Sequence, residues 1–170
     1  MTQGDYEVPQ GRIREERDNI RCLEDELVQG GILPEQADQV IPALTATDSL
    51  ALRSIGSILH DFHNAAESIF EVIARDIDGS LPTHADWHRS LLTQMSLPLN
   101  TRRPCVLRKE TVAALDEFRA FRHVFRNVYG FALDPERLHL LLRRFPQAAD
   151  MLAKDLDEFA DVMRQVVPSD

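Results

Sequence analysis

Residues 48–78 read "DSLALRSIGSILHDFHNAAESIFEVIARDID". Leu52, Ile55, Leu59, Phe62, Ala66, Ile69 and Ile73 recur three and four apart, so they fall on one face of a helix. Thr47 or Asp48 caps its start, and Asp78-Gly79 ends it. A long helix with one apolar face needs partners, and the flanking sequence supplies more helices. Toward the N-terminus, about 10–29 forms a helix with a stripe of Ile13, Ile20, Leu23 and Leu27, stopped by Gly30-Gly31, and a short helical piece follows Pro34. Toward the C-terminus, "DWHRSLLTQM" (86–95) is a shorter helix and "SLPLNTRRPCV" (96–106) a loop. A helix over about 109–129 carries Val112, Leu115, Phe118, Phe121 or Ala114, Phe125 and Val128, with Gly130 as its C-cap. "LDPERLHLLL" (133–142) starts another, with Asp134 as N-cap, Pro135 first and Glu136 in the first turn. A last helix, about 146–166, carries Ala149, Leu152, Leu156, Phe159 and Met163. No stretch alternates with period two for long, so the expected fold is an all-α bundle of five or six helices.

The 170 residues suit one domain with a real core. No apolar run approaches the roughly 18 residues of a membrane span. The opening "MTQGDYEVPQG" has no apolar stretch of the kind a signal peptide needs, so a cytoplasmic protein is expected. Cys22 and Cys105 lie far apart without metal-ligand spacing and read as buried free thiols. The formal net charge of -9 argues against indiscriminate polyanion binding.

That charge is uneven. Residues 101–130 hold seven Lys/Arg against three Asp/Glu, a local net of +4, which leaves -13 on the remainder. The centre of this island is "FRHVFRNVYGF" (121–131). At about 100° per residue, Arg119, Arg122, Arg126 and Tyr129 share a face, while His123 and Asn127, four apart, line a neighbouring strip. Guanidinium groups bind phosphate bidentately, histidine moves protons near neutral pH, and tyrosine stacks or donates. None of this chemistry needs a metal. The residues alone admit a second account. Cations near a helix C-terminus are favoured by the macrodipole, by about 0.3–1 kcal/mol each, and surface arginines pair with acids.

The stretch resembles the signature of HEPN domains, in particular the HepT-like toxins of prokaryotic toxin–antitoxin pairs. Arg122 matches the motif arginine, His123 the polar residue after it, and Tyr129 the tyrosine of the HepT branch. The helix "LHDFHNAAESIFEVIARDIDGSLP", the segment "DWHRSLLTQM" and the exit "YGFALDPERL" extend the resemblance over roughly 50–145. It implies a HEPN bundle that forms a homodimer, with two motif helices meeting at a composite cleft. It further implies a metal-independent endoribonuclease without a cofactor, in which a ribose 2′-hydroxyl attacks the adjacent phosphate. The implied partners are RNA and a minimal nucleotidyltransferase antitoxin that attaches AMP to the motif tyrosine, here Tyr129. Arg122 would stabilise the transition state, with Arg119 and Arg126 extending the RNA contact.

The motif histidine should stand at 127, where this sequence has Asn127. An amide does not titrate in the useful range. Three readings follow: a form with the catalytic histidine replaced, a non-catalytic HEPN module that binds RNA or a nucleotidyltransferase, or a chain in which His123 substitutes. The last is disfavoured, because position 123 is turned about 40° from 127. His60 and His63, and His84 and His88, have spacings compatible with metal, but solvated or core-capping histidines are the simpler account, with no metal site expected. Glu67, four after His63, reads as its helix-surface partner. Trp87 reads as a core or interface anchor, Arg102-Arg103 as a weak extension of an RNA path, and Arg143-Arg144 as a helix end. Residues 1–45 lie outside the resemblance and form an N-terminal helical extension, packed as one unit with the HEPN domain at 46–170.

Overall fold

The computed structural model describes residues 3–33, 44, 49–100, 102–127 and 133–166. Among these are five α-helices: α1 (Gln3–Gln29), α2 (Ser49–Val72), α3 (Trp87–Met95), α4 (Lys109–Asn127) and α5 (Pro135–Val166). The described residues contain no strand, only an isolated bridge between Leu99 and Arg103. The all-α reading holds. The central element is α2, which packs against each of the other four helices. Its predicted stripe is the buried one: Ile55, Leu59, Phe62, Ile69 and Ile73 are sealed from solvent. Phe62 meets Phe118 of α4 edge-on at 5.0 Å and Phe145 of α5 at 4.9 Å. Edge-to-face pairs add about 0.5–1.5 kcal/mol each beyond area burial, so this trio fixes where α4 crosses α2. At the crossing, Gly56 of α2 leaves room for the Phe125 ring; a Cβ there would lie 2.7 Å from it.

Beyond Val72 the chain widens into a π-helical segment, Ile73–Asp78, that ends at Gly79 with φ 69°. Both Ile77 and Asp78 face inward there. Asp78 meets Arg103 from the loop before α4. Arg103 donates from Nε and NH2 to the two Asp78 oxygens at 2.5 and 2.8 Å, and also to the carbonyls of Gln94, Leu97 and Pro104. Those five bonds match its five N–H groups. The suggestion that Arg103 extends an RNA path is therefore corrected, since it is an interior residue fully engaged in closing the loop. Arg102 is exposed and donates to the Ile77 carbonyl. The start of α4 is held by buried Asp155 of α5, which accepts from the Arg108 backbone at 2.8 Å and from its Nε at 2.5 Å.

Several expectations need correction. α1 begins at Gln3, not near 10, and runs through Pro9. The two helices expected after Asp134 are one, continuous through Pro146. A proline inside a helix costs about 3 kcal/mol. Phe145, Ala148 and Ala149 around it are buried, and burying a large apolar side chain returns about 1.5–3 kcal/mol. Packing thus overrides the local break. Arg143-Arg144 consequently lies mid-helix, and Arg144 donates to Glu117 of α4. Both cysteines are exposed free thiols, Cys22 on the outer side of α1 and Cys105 in the loop between Arg103 and Val106. Asp134 does cap α5, accepting from the Glu136 backbone at 3.0 Å. The expected helical piece after Pro34, the caps at Thr47, Asp48 and Gly130, and Val128 lie outside the described residues. No helix among the described residues is long and apolar enough to cross a membrane.

Candidate functional site

The last two turns of α4 carry the motif, and its residues part in two directions. His123, Arg126 and Asn127 are exposed. Asn127 turns its amide back on its own helix, with Nδ2 donating to the His123 carbonyl at 2.6 Å. Arg119 pairs with Asp116 one turn before it, Nε to Oδ1 at 2.6 Å. Of the three guanidiniums expected on one face, that of Arg119 is paired with an acid, that of Arg126 is exposed and that of Arg122 turns inward. Tyr129 lies outside the described residues.

The inward one is Arg122. Its NH1 lies 3.2 Å from Nε2 of His88 on α3, and Nδ1 of His88 lies 2.5 Å from Oε2 of Glu67 on α2. A guanidinium only donates and a carboxylate only accepts. The hydrogen-bond pattern therefore assigns a neutral His88 with its hydrogen on Nδ1 and its lone pair aimed at Arg122. The Trp87 ring packs over the His88 ring at 3.7 Å between centroids, which fixes the imidazole plane. Three elements, α2, α3 and α4, so contribute one residue each to a chain of contacts that ends on the motif arginine.

A second histidine lines the same region. His63 Nε2 is 3.9 Å from the Glu67 carboxylate, and both residues are buried. Burial, followed by the nearby Arg122 charge, pushes the His63 imidazole down to about 3. Among the described residues its Nδ1, the Nε2 of His60 and the Nε of Arg122 are all buried without a partner. His60 Nδ1 meets the Asn64 amide at 2.9 Å, and its ring leans on Phe125. A void of about 10 Å³ lies beneath His63, Glu67 and His88, walled by Phe70, Leu91 and Leu115. That is room for one water at most.

Reading Glu67 as a helix-surface partner of His63 is corrected by this geometry. Glu67 is buried and takes its short bond from His88, twenty-one residues on. The sequence reading missed Glu67 and His88 as neighbours of the motif. A signal existed: Glu67 stands beside Ala66 on the apolar side of α2, where a carboxylate has to find a donor.

A family model described as a HepT-like protein matches residues 54–163, more than half of the chain. Neither the curated proteins nor the solved structures contain a match to the chain.

Proposed function

The chain belongs to the family of HepT-like proteins, and on that premise we propose that it is the ribonuclease component of a toxin–antitoxin pair, in a form weakened by Asn127. Arg122 is the residue that meets the scissile phosphate. In the proposed reaction a ribose 2′-hydroxyl attacks the adjacent phosphorus, a cyclic phosphate forms, and the 5′-oxygen of the next nucleotide leaves. Arg122 stabilises the charge that builds on the phosphoryl oxygens, where preorganised donors contribute most. Arg126 and Arg119 lie along the same helix and would track the RNA backbone. Proton transfer is the deficient step, because an amide at 127 neither takes nor gives a proton at useful pH.

The observation that carries this reading is Arg122 itself. It sits on the matched segment, anchored through one NH1 bond to a neutral imidazole, beside a helix end whose other polar side chains are open to solvent. A homodimer pairing two such helix ends would raise the local positive potential against an acidic exterior. The proposed partner is a minimal nucleotidyltransferase, with Tyr129 as the acceptor of AMP. The proposed location is the cytoplasm, and α1 serves as an extension packed on the catalytic bundle.

The test is a ribonuclease time course on mixed RNA in EDTA. The parent protein should cleave slowly or not at all. Asn127→His should raise the rate by a factor on the order of 10²–10⁴, and Asn127→His with Arg122→Ala should lose that gain. No cleavage by Asn127→His would overturn the ribonuclease reading. One observation favours a second reading, a non-catalytic module that binds its partner or RNA. The Asn127 amide is already engaged with the His123 carbonyl and so is turned along the helix.

A further inference from the structure

We infer that Glu67 and His88 are positioning residues that aim Arg122 while leaving its charge unspent. What Arg122 does rests on the ribonuclease reading above; how it is held does not. An arginine at the end of a long stem carries about 2 kcal/mol of rotamer entropy, so holding it in place before substrate arrives matters. The direct way to hold a guanidinium is a carboxylate, as Asp116 holds Arg119 and Asp78 holds Arg103. A carboxylate in contact also cancels the field that a phosphate would feel. At Arg122 the acceptor is instead the lone pair of a neutral ring, and the carboxylate stands one imidazole away. The guanidinium is fixed in place without being neutralised.

The surrounding groups agree with this division of labour. Glu67 is buried, so its charge needs a donor, and His88 Nδ1 supplies it at 2.5 Å. That bond sets the tautomer and leaves Nε2 free to accept. His63 is kept neutral by burial and by the neighbouring cations, so it adds no positive charge that would push Arg122 away. Among the described residues no hydrogen bond occupies NH2 of Arg122. The outer edge of the guanidinium is thus left for an anionic oxygen, the chemistry of an RNA phosphodiester. The same logic explains why His88 is not itself the proton carrier: its lone pair is committed to Arg122 and its hydrogen to Glu67.

The experiment has two readouts that fail separately. In the parent protein, ring ¹⁵N shifts should show His88 with its hydrogen on Nδ1 and an unprotonated Nε2, and Arg122→Met should leave that hydrogen on Nδ1, where Glu67 holds it. A hydrogen on Nε2 in the parent protein would overturn the positioning claim whatever the protein does to RNA. In the Asn127→His background, His88→Leu should lower kcat by about 10²-fold with little change in KM. His88→Gln, whose amide oxygen can accept from Arg122 but carries no proton, should keep most of the rate. Equal loss in the Leu and Gln variants, both shown folded by circular dichroism, would make His88 a proton carrier and sink the inference. A silent Asn127→His protein would remove the ribonuclease reading alone, and the ring spectra would then decide the matter.

Discussion

Two arginines reach into this bundle, and they are held in opposite ways. Arg103 is 4% exposed, and each of its N–H groups meets an oxygen from Asp78 or a loop carbonyl. Among the described residues Arg122 meets one neutral nitrogen, and its buried Nε has no partner. Burying a polar donor without a partner costs about 1–3 kcal/mol, so a fold selected for stability alone has no reason to keep one. The contrast separates a cation used up in building the loop from a cation kept in reserve. Both come from the same basic island, and sequence treats them alike.

The largest effect expected from breaking this contrast is at the satisfied site. Arg103→Met leaves Asp78 as an uncompensated buried carboxylate and should destabilise the protein by about 3–5 kcal/mol. For a chain of this length that is a fall in Tm of about 6–20 °C. Arg103→Met with Asp78→Leu should recover much of the loss, because the stranded charge is gone. A Tm within a degree or two of the parent for Arg103→Met alone, read by calorimetry, would show that the pair is not structural.

A smaller effect comes from acid on the Arg122 side. His63 in the folded state is held near 3, below its ordinary 6.5. The unfolded chain therefore takes up a proton first, and stability falls as pH drops from about 6.5 toward 3. The limiting slope is about 1.4 kcal/mol per pH unit, so roughly 2 kcal/mol should be lost to His63 between about pH 6 and pH 4.5. His63→Leu removes this contribution while the carboxylates still titrate. Urea midpoints of the two proteins should converge or cross as pH falls; parallel curves would mean that His63 charges freely in the fold.

Much of the architecture was legible because it depends on periodicity. The stripe from Leu52 to Ile73 predicted the buried face of α2, and Asp134-Pro135 marked the start of α5. What failed was local punctuation. Pro146 and Pro9 look like breaks, yet neither interrupts its helix, because buried neighbours on both sides hold the backbone helical. The candidate site was half legible. A motif names Arg122 and Asn127, since those are close in sequence. Glu67 and His88 come from other helices, and their meeting depends on how α3 folds back over α2. The fate of Arg103 was hidden for the same reason: its partner, Asp78, faces inward only because the end of α2 widens into a π-helical turn.

The motif helix is also held by shape. Gly56→Ala would place a Cβ 2.7 Å from the Phe125 ring and 3.3 Å from Leu133. Overpacking of this kind typically costs about 1–3 kcal/mol. Because Phe125 lies between Arg122 and Asn127, the strain should displace the end of α4 as well. Phe125→Leu, which shortens the obstructing side chain, should restore part of the stability of Gly56→Ala. If the double variant is no more stable than the single, the clash lies elsewhere and α2 and α4 are not in registry through this glycine.

The smallest expected change in stability is the most informative one. Arg122→Met removes a single hydrogen bond to His88 and leaves the Nε2 lone pair to water, a loss of about 0.5–1.5 kcal/mol. It also removes the unpartnered buried Nε, which returns a similar amount. The methionine stem can still cover the apolar surface that the arginine stem covers. The two contributions should nearly cancel, for a net change within about 1 kcal/mol and a Tm within about 4 °C of the parent. RNA binding by the same protein, measured by fluorescence anisotropy at low salt, should nevertheless weaken, and the slope of affinity against salt should flatten. Arg103→Met would show the reverse pattern when assayed below its own Tm, with stability lost and RNA affinity kept. If Arg122→Met costs as much stability as Arg103→Met, the two arginines are both structural, and the reserve charge on the motif helix does not exist.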